Sequence, residues 1–84
     1  MIPKKNVFVK YRAVQGHTYL VNKSEAFQLD DVGQKIWENI DGKATKEEIA
    51  IKIAESYKTE VETISNDLNE FLDELEENKL ITTS

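Results

Sequence analysis

Between Leu29 and Asp30 the hydrophobic period of the chain changes from two to about 3.6 with no loop in between. In Glu25-Ala26-Phe27-Gln28-Leu29, Phe27 and Leu29 share one face while Ala26 and Gln28 share the other, as in a half-buried strand. Beyond Asp30 the apolar residues recur as Val32, Ile36 and Ile40 with Trp37 alongside, the stripe of an amphipathic helix. A strand that runs straight into a helix has no hairpin successor. Its outer edge stays open, with unpaired N–H and C=O groups that invite another strand.

Two further strands precede it. Val7-Phe8-Val9-Lys10-Tyr11 is β-branched and aromatic, which predicts a strand over about residues 6–12. Gly16 can take the positive φ of a turn. His17-Thr18-Tyr19-Leu20-Val21 predicts a strand over about 17–22, and Asn22-Lys23-Ser24 turns the chain into the third strand, 25–29. Short turns make this an antiparallel meander with the third strand at an edge.

Three helices follow, over about residues 30–41, 45–57 and 60–79. Asp30 is placed to cap the first, and Gly42 to end it as a C′ residue. Gly33 costs about 1 kcal/mol against Ala inside a helix, so it implies a close approach of another backbone. Thr45-Lys46-Glu47-Glu48 and Thr59-Glu60-Val61-Glu62 both fit the capping box. Ile49, Ala50, Ile53, Ala54 and Tyr57 form the second apolar stripe. Val61, Ile64, Leu68, Phe71, Leu72 and Leu75 form the third, and Asn78 suits a left-handed stop. Leu80 and Ile81 are expected to fold back on the core, which Phe27, Leu29, Ile36, Trp37 and Ile40 also build. The expectation is one domain over residues 1–84, α+β, with a winged helix-turn-helix-like three-stranded antiparallel sheet followed by three helices.

Charge narrows the function. The net charge is −5, from 16 acids and 11 bases. Residues 1–23 hold Lys4, Lys5, Lys10, Arg12 and Lys23 with no acid, whereas residues 60–77 hold eight acids and no base. A helix so acidic repels phosphate, so no nucleic acid is expected as a partner, and a DNA-binding regulator is the weaker alternative. With no cysteine and His17 as the one histidine, neither a thiolate nor a zinc site is expected. No serine has a neighbouring histidine to activate it, and there is no Gly-rich phosphate loop. A non-catalytic protein without cofactor or metal is the expectation. No apolar run is long enough to span a membrane, and Met1-Ile2-Pro3-Lys4-Lys5 lacks the apolar segment of a signal peptide. Cytoplasmic localisation is therefore expected.

One further pattern joins these features. Phe27-x-Leu29-Asp30-x-x-Gly33-x-x-Ile36-Trp37, then Asp41-Gly42, Thr45-x-x-Glu48-Ile49-Ala50, Tyr57 and Asp67-x-x-x-Phe71-Leu72-x-x-Leu75 follow in order. The chain thereby resembles the PqqD-like proteins, the precursor-peptide recognition elements of ribosomally made peptide pathways, over roughly residues 6–81. That family usually closes the last helix with Gly-Leu-Ile or Gly-Leu-Leu, where this chain has Asn78-Lys79-Leu80-Ile81. The resemblance implies a stand-alone binder of a precursor leader peptide. The leader would add to the third strand, along Glu25, Ala26, Phe27, Gln28 and Leu29, against the third helix. The chain would then deliver it to a leader protease or a radical-SAM enzyme.

On that helix Thr63, Asp67, Glu70 and Glu74 form one flank. This flank is expected to line the groove and to favour a basic leader residue; Ser65, Asn69 and Glu76 form the runner-up flank. The quinone-pathway members usually carry a longer Leu-rich, Pro-Glu-containing second hairpin that is missing from residues 17–24, so the resemblance leans to the lasso-peptide leader binders. A peptide chaperone for a radical-SAM maturase is the alternative. The open edge also allows two chains to pair as a homodimer.

Overall fold

In the computed structural model, which describes residues 1–83, the elements follow in a fixed order. They are β1 (Pro3–Lys5), β2 (Lys10–Val14), β3 (His17–Asn22), β4 (Glu25–Leu29), α1 (Asp31–Glu38), α2 (Lys46–Tyr57), α3 (Val61–Glu77) and β5 (Ile81–Thr83). The expected domain end at Ser84 lies outside the described residues. Strands β2, β3 and β4 form an antiparallel sheet in that order, so β4 is an edge. Tyr11 stands opposite Leu20, and Leu20 opposite Phe27. That row faces the helices, and Leu20 is fully buried.

The first strand of the meander, β2, lies further along the chain than the expected 6–12. Residues 6–9 form a turn: the Phe8 N–H donates to Asn6 Oδ1 at 3.0 Å, and the Val9 N–H to the Asn6 carbonyl at 3.1 Å. A short polar side chain that bonds nearby backbone competes with strand pairing. Val7 and Phe8 are left 86% and 77% exposed, and pairing starts at Lys10. The next connection is a two-residue hairpin, with Gln15 at φ 50° and Gly16 at φ 81°. Positive φ at both central residues matches the twist of the flanking strands.

Asp30 caps α1 as expected, its Oδ1 accepting from the Gly33 N–H at 2.7 Å. The helix ends at Glu38, three residues short of the expected 41. The Asn39 side-chain amide donates to the Lys35 carbonyl at 2.8 Å, and the Asn39 N–H reaches Ile36 at 3.0 Å, a tightened last turn. Gly42 is therefore not the C′ residue of α1; it sits at φ 79° in the bend before α2, beside the Lys4 stem.

The first capping box forms in full at Thr45 and Glu48. The second does not: α3 is capped at Glu60 with no side-chain hydrogen bond. The reason lies in α2. Its end is a Schellman motif with Lys58 left-handed at φ 53°, and the Thr59 N–H already donates to the Ala54 carbonyl at 3.0 Å. The donor that Glu62 would have taken is occupied. Tyr57 and Val61, at these same ends, are 43% and 40% exposed, so the apolar stripes of α2 and α3 stop short of them.

After α3 the left-handed residue is Lys79 at φ 60°, not Asn78 at φ −87°. This turn sends Leu80 and Ile81 back into the core, where they are 3% and 2% exposed. Ile81 begins β5, which pairs antiparallel with β1, Lys5 opposite Ile81 and Pro3 opposite Thr83. Sequence alone did not indicate this two-stranded sheet. The buried cluster joins Leu20 and Leu29 to Ile36, Trp37, Ile49, Leu68, Leu72 and Leu75. Burying such side chains contributes about 1.5–3 kcal/mol each before entropy is counted.

Candidate functional site

The unpaired edge of β4 and the C-terminal half of α3 wall a groove. Near the end of β4 it opens to a cavity of about 370 Å³ lined by Phe27, Gln28, Leu29, Asp30, Phe71 and Glu74. Toward the start of β4 it narrows to about 40 Å³, lined by Leu20, Asn22, Glu25, Ala26, Phe27, Asn78 and Leu80. Phe27 lines both parts and joins them.

Each wall follows from local rules. Alternation along β4 turns Phe27 and Leu29 inward, half-buried and buried, and leaves Glu25, Ala26 and Gln28 exposed. On α3, Phe71 and Glu74 are three residues apart and share a face. The Phe71 ring meets Phe27 with centroids 6.2 Å apart and planes tilted by 60°, a favourable aromatic geometry.

Gly33 makes this possible. A Cβ there would lie 3.1 Å from Phe71 Cζ and 3.1 Å from Asp30 Oδ1. The close approach expected at Gly33 is real, but the partner is a side chain rather than a backbone. Glycine admits the ring that floors the groove.

Of the flank Thr63, Asp67, Glu70 and Glu74, only Glu74 lines the cavity; the other three are exposed on α3. The opposite flank is turned elsewhere. Asn69 accepts a hydrogen bond from Lys46 Nζ of α2 at 2.8 Å, Glu76 accepts one from the Thr83 hydroxyl at 2.9 Å, and Ser65 lines a cleft with Lys46 and Glu47. Asp30 and Phe71 were legible only as cap and core; in the structure both also line the groove. The spacing of Phe71 three residues before Glu74 was the signal for the second. Asp30 adds a carboxylate at the same end as Glu74, although one of its oxygens is held by the helix N-terminus.

His17 stands beside this edge, its Nδ1 3.1 Å from Gln28 Nε2. Among the described residues no group of three His, Cys, Asp or Glu side chains could hold a metal ion. No helix of the described residues is long and apolar enough to cross a membrane.

A three-stranded antiparallel sheet whose β4 edge lies open beside a helix-walled groove with an aromatic floor defines a small α+β domain. The chain belongs to the PqqD family: residues 17–81 match the family described as Coenzyme PQQ synthesis protein D (PqqD). It is 31% identical over 68 residues to the PqqA binding protein of Rhizobium meliloti (strain 1021), across 81% of this chain and 69% of that protein. Among solved structures it is similar to TbiB1 in complex with the TbiA(beta) leader peptide, with TM-score 0.82 and 26% identity over 96% of each chain. It shares the fold of the PqqD part of Methylobacterium extorquens PqqCD, with TM-score 0.84 and 21% identity, covering 98% of this chain and 89% of that one.

Proposed function

We propose that this protein binds the leader segment of a ribosomally synthesised precursor peptide and delivers it, without catalysis, to a leader protease or modifying enzyme. The observation that carries the proposal is the vacant edge of β4 beside the Phe27–Phe71 groove. The leader adds as a fourth strand. Backbone hydrogen bonds supply affinity that does not depend on sequence, and the groove supplies selection. The apolar floor takes an apolar leader residue, while Glu74 and Asp30 favour a cation near it. Similarity to a PqqA binding protein and to a leader-bound structure supports the reading.

We favour lasso-peptide biosynthesis because residues 17–24 form a short hairpin without the longer Leu-rich, Pro-Glu-containing insertion of the quinone-pathway proteins. Service to a radical-SAM maturase is the second reading, which the PqqA-binding relative favours.

The test is titration of labelled leader peptides from short reading frames beside the gene. Binding tighter than about 100 μM, roughly −5.5 kcal/mol, is expected. Gln28→Pro, which removes an N–H from β4 and fixes its φ, is expected to weaken it. Undiminished binding by folded Gln28→Pro would refute strand addition.

A further inference from the structure

The turn at residues 6–9 is ordered yet presents apolar side chains to solvent. Asn6 pins it to the end of α3: its N–H donates to the Leu80 carbonyl at 3.0 Å, and its side-chain amide to the Lys79 carbonyl at 2.9 Å. Val9 packs on the core, whereas Val7 and Phe8 stand out. The turn therefore borders the narrow end of the groove, where Asn78 and Leu80 form the wall. Lys23 and Lys79 stand at this end too, both left-handed, at φ 59° and 60°. Lys5 and Lys10 flank the turn in the chain. Lys5 is turned away, its Nζ over the Trp37 ring at 4.9 Å, so Lys23 and Lys79 are the cations of this end, beside the Glu25 wall. At the wide end Asp30 and Glu74 line the cavity.

On the reading that a peptide adds to β4, antiparallel addition continues the pairing of the sheet. Such a peptide runs from the Leu29 end toward the Glu25 end, so its C-terminal continuation emerges at the end of the sheet where β2 begins, with the Val7–Phe8 turn across the sheet from it. The added strand would lie three inter-strand spacings from β2, about 14 Å. Extended chain covers that in about four residues.

We infer that the Val7–Phe8 turn, with Lys23 and Lys79, is a second subsite for the same peptide. It takes an apolar residue, accompanied by a carboxylate, that follows the strand-paired segment by about four positions. The wide end then selects a cation, the narrow end an apolar and acidic pair, and the two together set the direction of the bound chain.

A phage library of random 16-residue peptides, selected on the full chain, tests this without knowledge of the natural leader. The selected consensus is expected to place an aromatic or large aliphatic residue next to an acid, C-terminal to a segment whose binding is lost in Gln28→Pro. Fluorescence anisotropy then compares the synthetic consensus with a copy lacking its last six residues. The truncation is expected to cost roughly tenfold, the share of one partly buried apolar side chain.

Val7→Ser/Phe8→Ser, at exposed positions, is expected to weaken the long peptide by the same factor and leave the short one unchanged. Lys23→Glu/Lys79→Glu is expected to remove the preference for the acid. If peptides bind through Phe27 and Glu74 but the serine variant treats long and short alike, the inference falls and the groove reading stands. If the serine variant weakens both equally, the turn supports the fold and is no subsite. If no peptide is enriched, both readings fall.

Discussion

Lys79→Gly is expected to stabilise the protein. Lys79 occupies the C′ position of α3 at φ 60°, its N–H donating to the Glu76 carbonyl at 3.0 Å and that of Leu80 to Leu75 at 2.8 Å. This Schellman motif is held shut by Leu75 and Leu80, 0% and 3% exposed. A side chain in the left-handed region costs about 1–2 kcal/mol. Glycine removes that cost but loses about 0.5–1 kcal/mol through the greater freedom of the unfolded chain. The net gain is about 0.5–1 kcal/mol, which raises Tm by about 2–8 °C for a domain of this size. Urea unfolding followed by circular dichroism measures it, with an unchanged slope expected. Lys79→Ala keeps the steric cost and should show no gain. If alanine stabilised as much as glycine, or glycine not at all, the strain argument would be wrong. Because glycine also removes a cation from the narrow end of the groove, the more stable variant should bind peptides with an acidic continuation less tightly.

The remaining predictions can be checked with the same unfolding assay. Leu68→Ala, at a site 1% exposed, should cost about 2–5 kcal/mol, a large share of the stability of so small a domain. Thr45→Ala should cost about 1 kcal/mol, while Thr59→Ala should stay within about 0.5 kcal/mol because its box never forms. Gly33→Ala sets a gain of about 1 kcal/mol in helix propensity against contacts at 3.1 Å to Phe71 and Asp30. Stability should change little, while displacement of the Phe71 ring weakens peptide binding measured by anisotropy. N–H groups of Ala44 and Lys43 hold the Asp41 carboxyl below the usual carboxylate range. A lowered folded pKa stabilises above the unfolded value and is lost as pH falls through the folded one. Asp41→Asn should therefore flatten the loss of stability below about pH 4.

The parts of this fold that were legible in the sequence are those set by local rules. The period change at Leu29–Asp30, the Thr45 box and the Asp30 cap depend on neighbours within a few residues, and all three are found. What failed depended on competition. Val7 and Phe8 have strand composition, but Asn6, just before them, takes the backbone N–H groups of Phe8 and Val9 first. Thr59 and Glu62 have capping spacing, but the preceding helix has already used the amide. The β1–β5 pair was hidden because its partners lie at opposite ends of the chain and neither is long enough to show a period. In the groove, Glu74 and the β4 residues were readable from the edge and the helix flank. Asp30 and Phe71 were hidden because capping and core packing already accounted for them.

The β1–β5 pair also bears on when the parts of the molecule assemble. Lys5 meets Ile81, and Pro3 meets Thr83, so this small sheet closes nearly the whole chain into a loop. Meanwhile the β2–β3–β4 meander and the α2–α3 pair form from near neighbours in sequence. Closing so long a loop is entropically the slowest contact to gain. The end strands should therefore dock after the transition state, as a clasp on a body already folded. Weakening the clasp, for instance by Ile81→Ala, should leave the folding rate nearly unchanged and speed unfolding. The lifetime of the folded protein, rather than its ability to fold, is then set at the seam where its two ends meet.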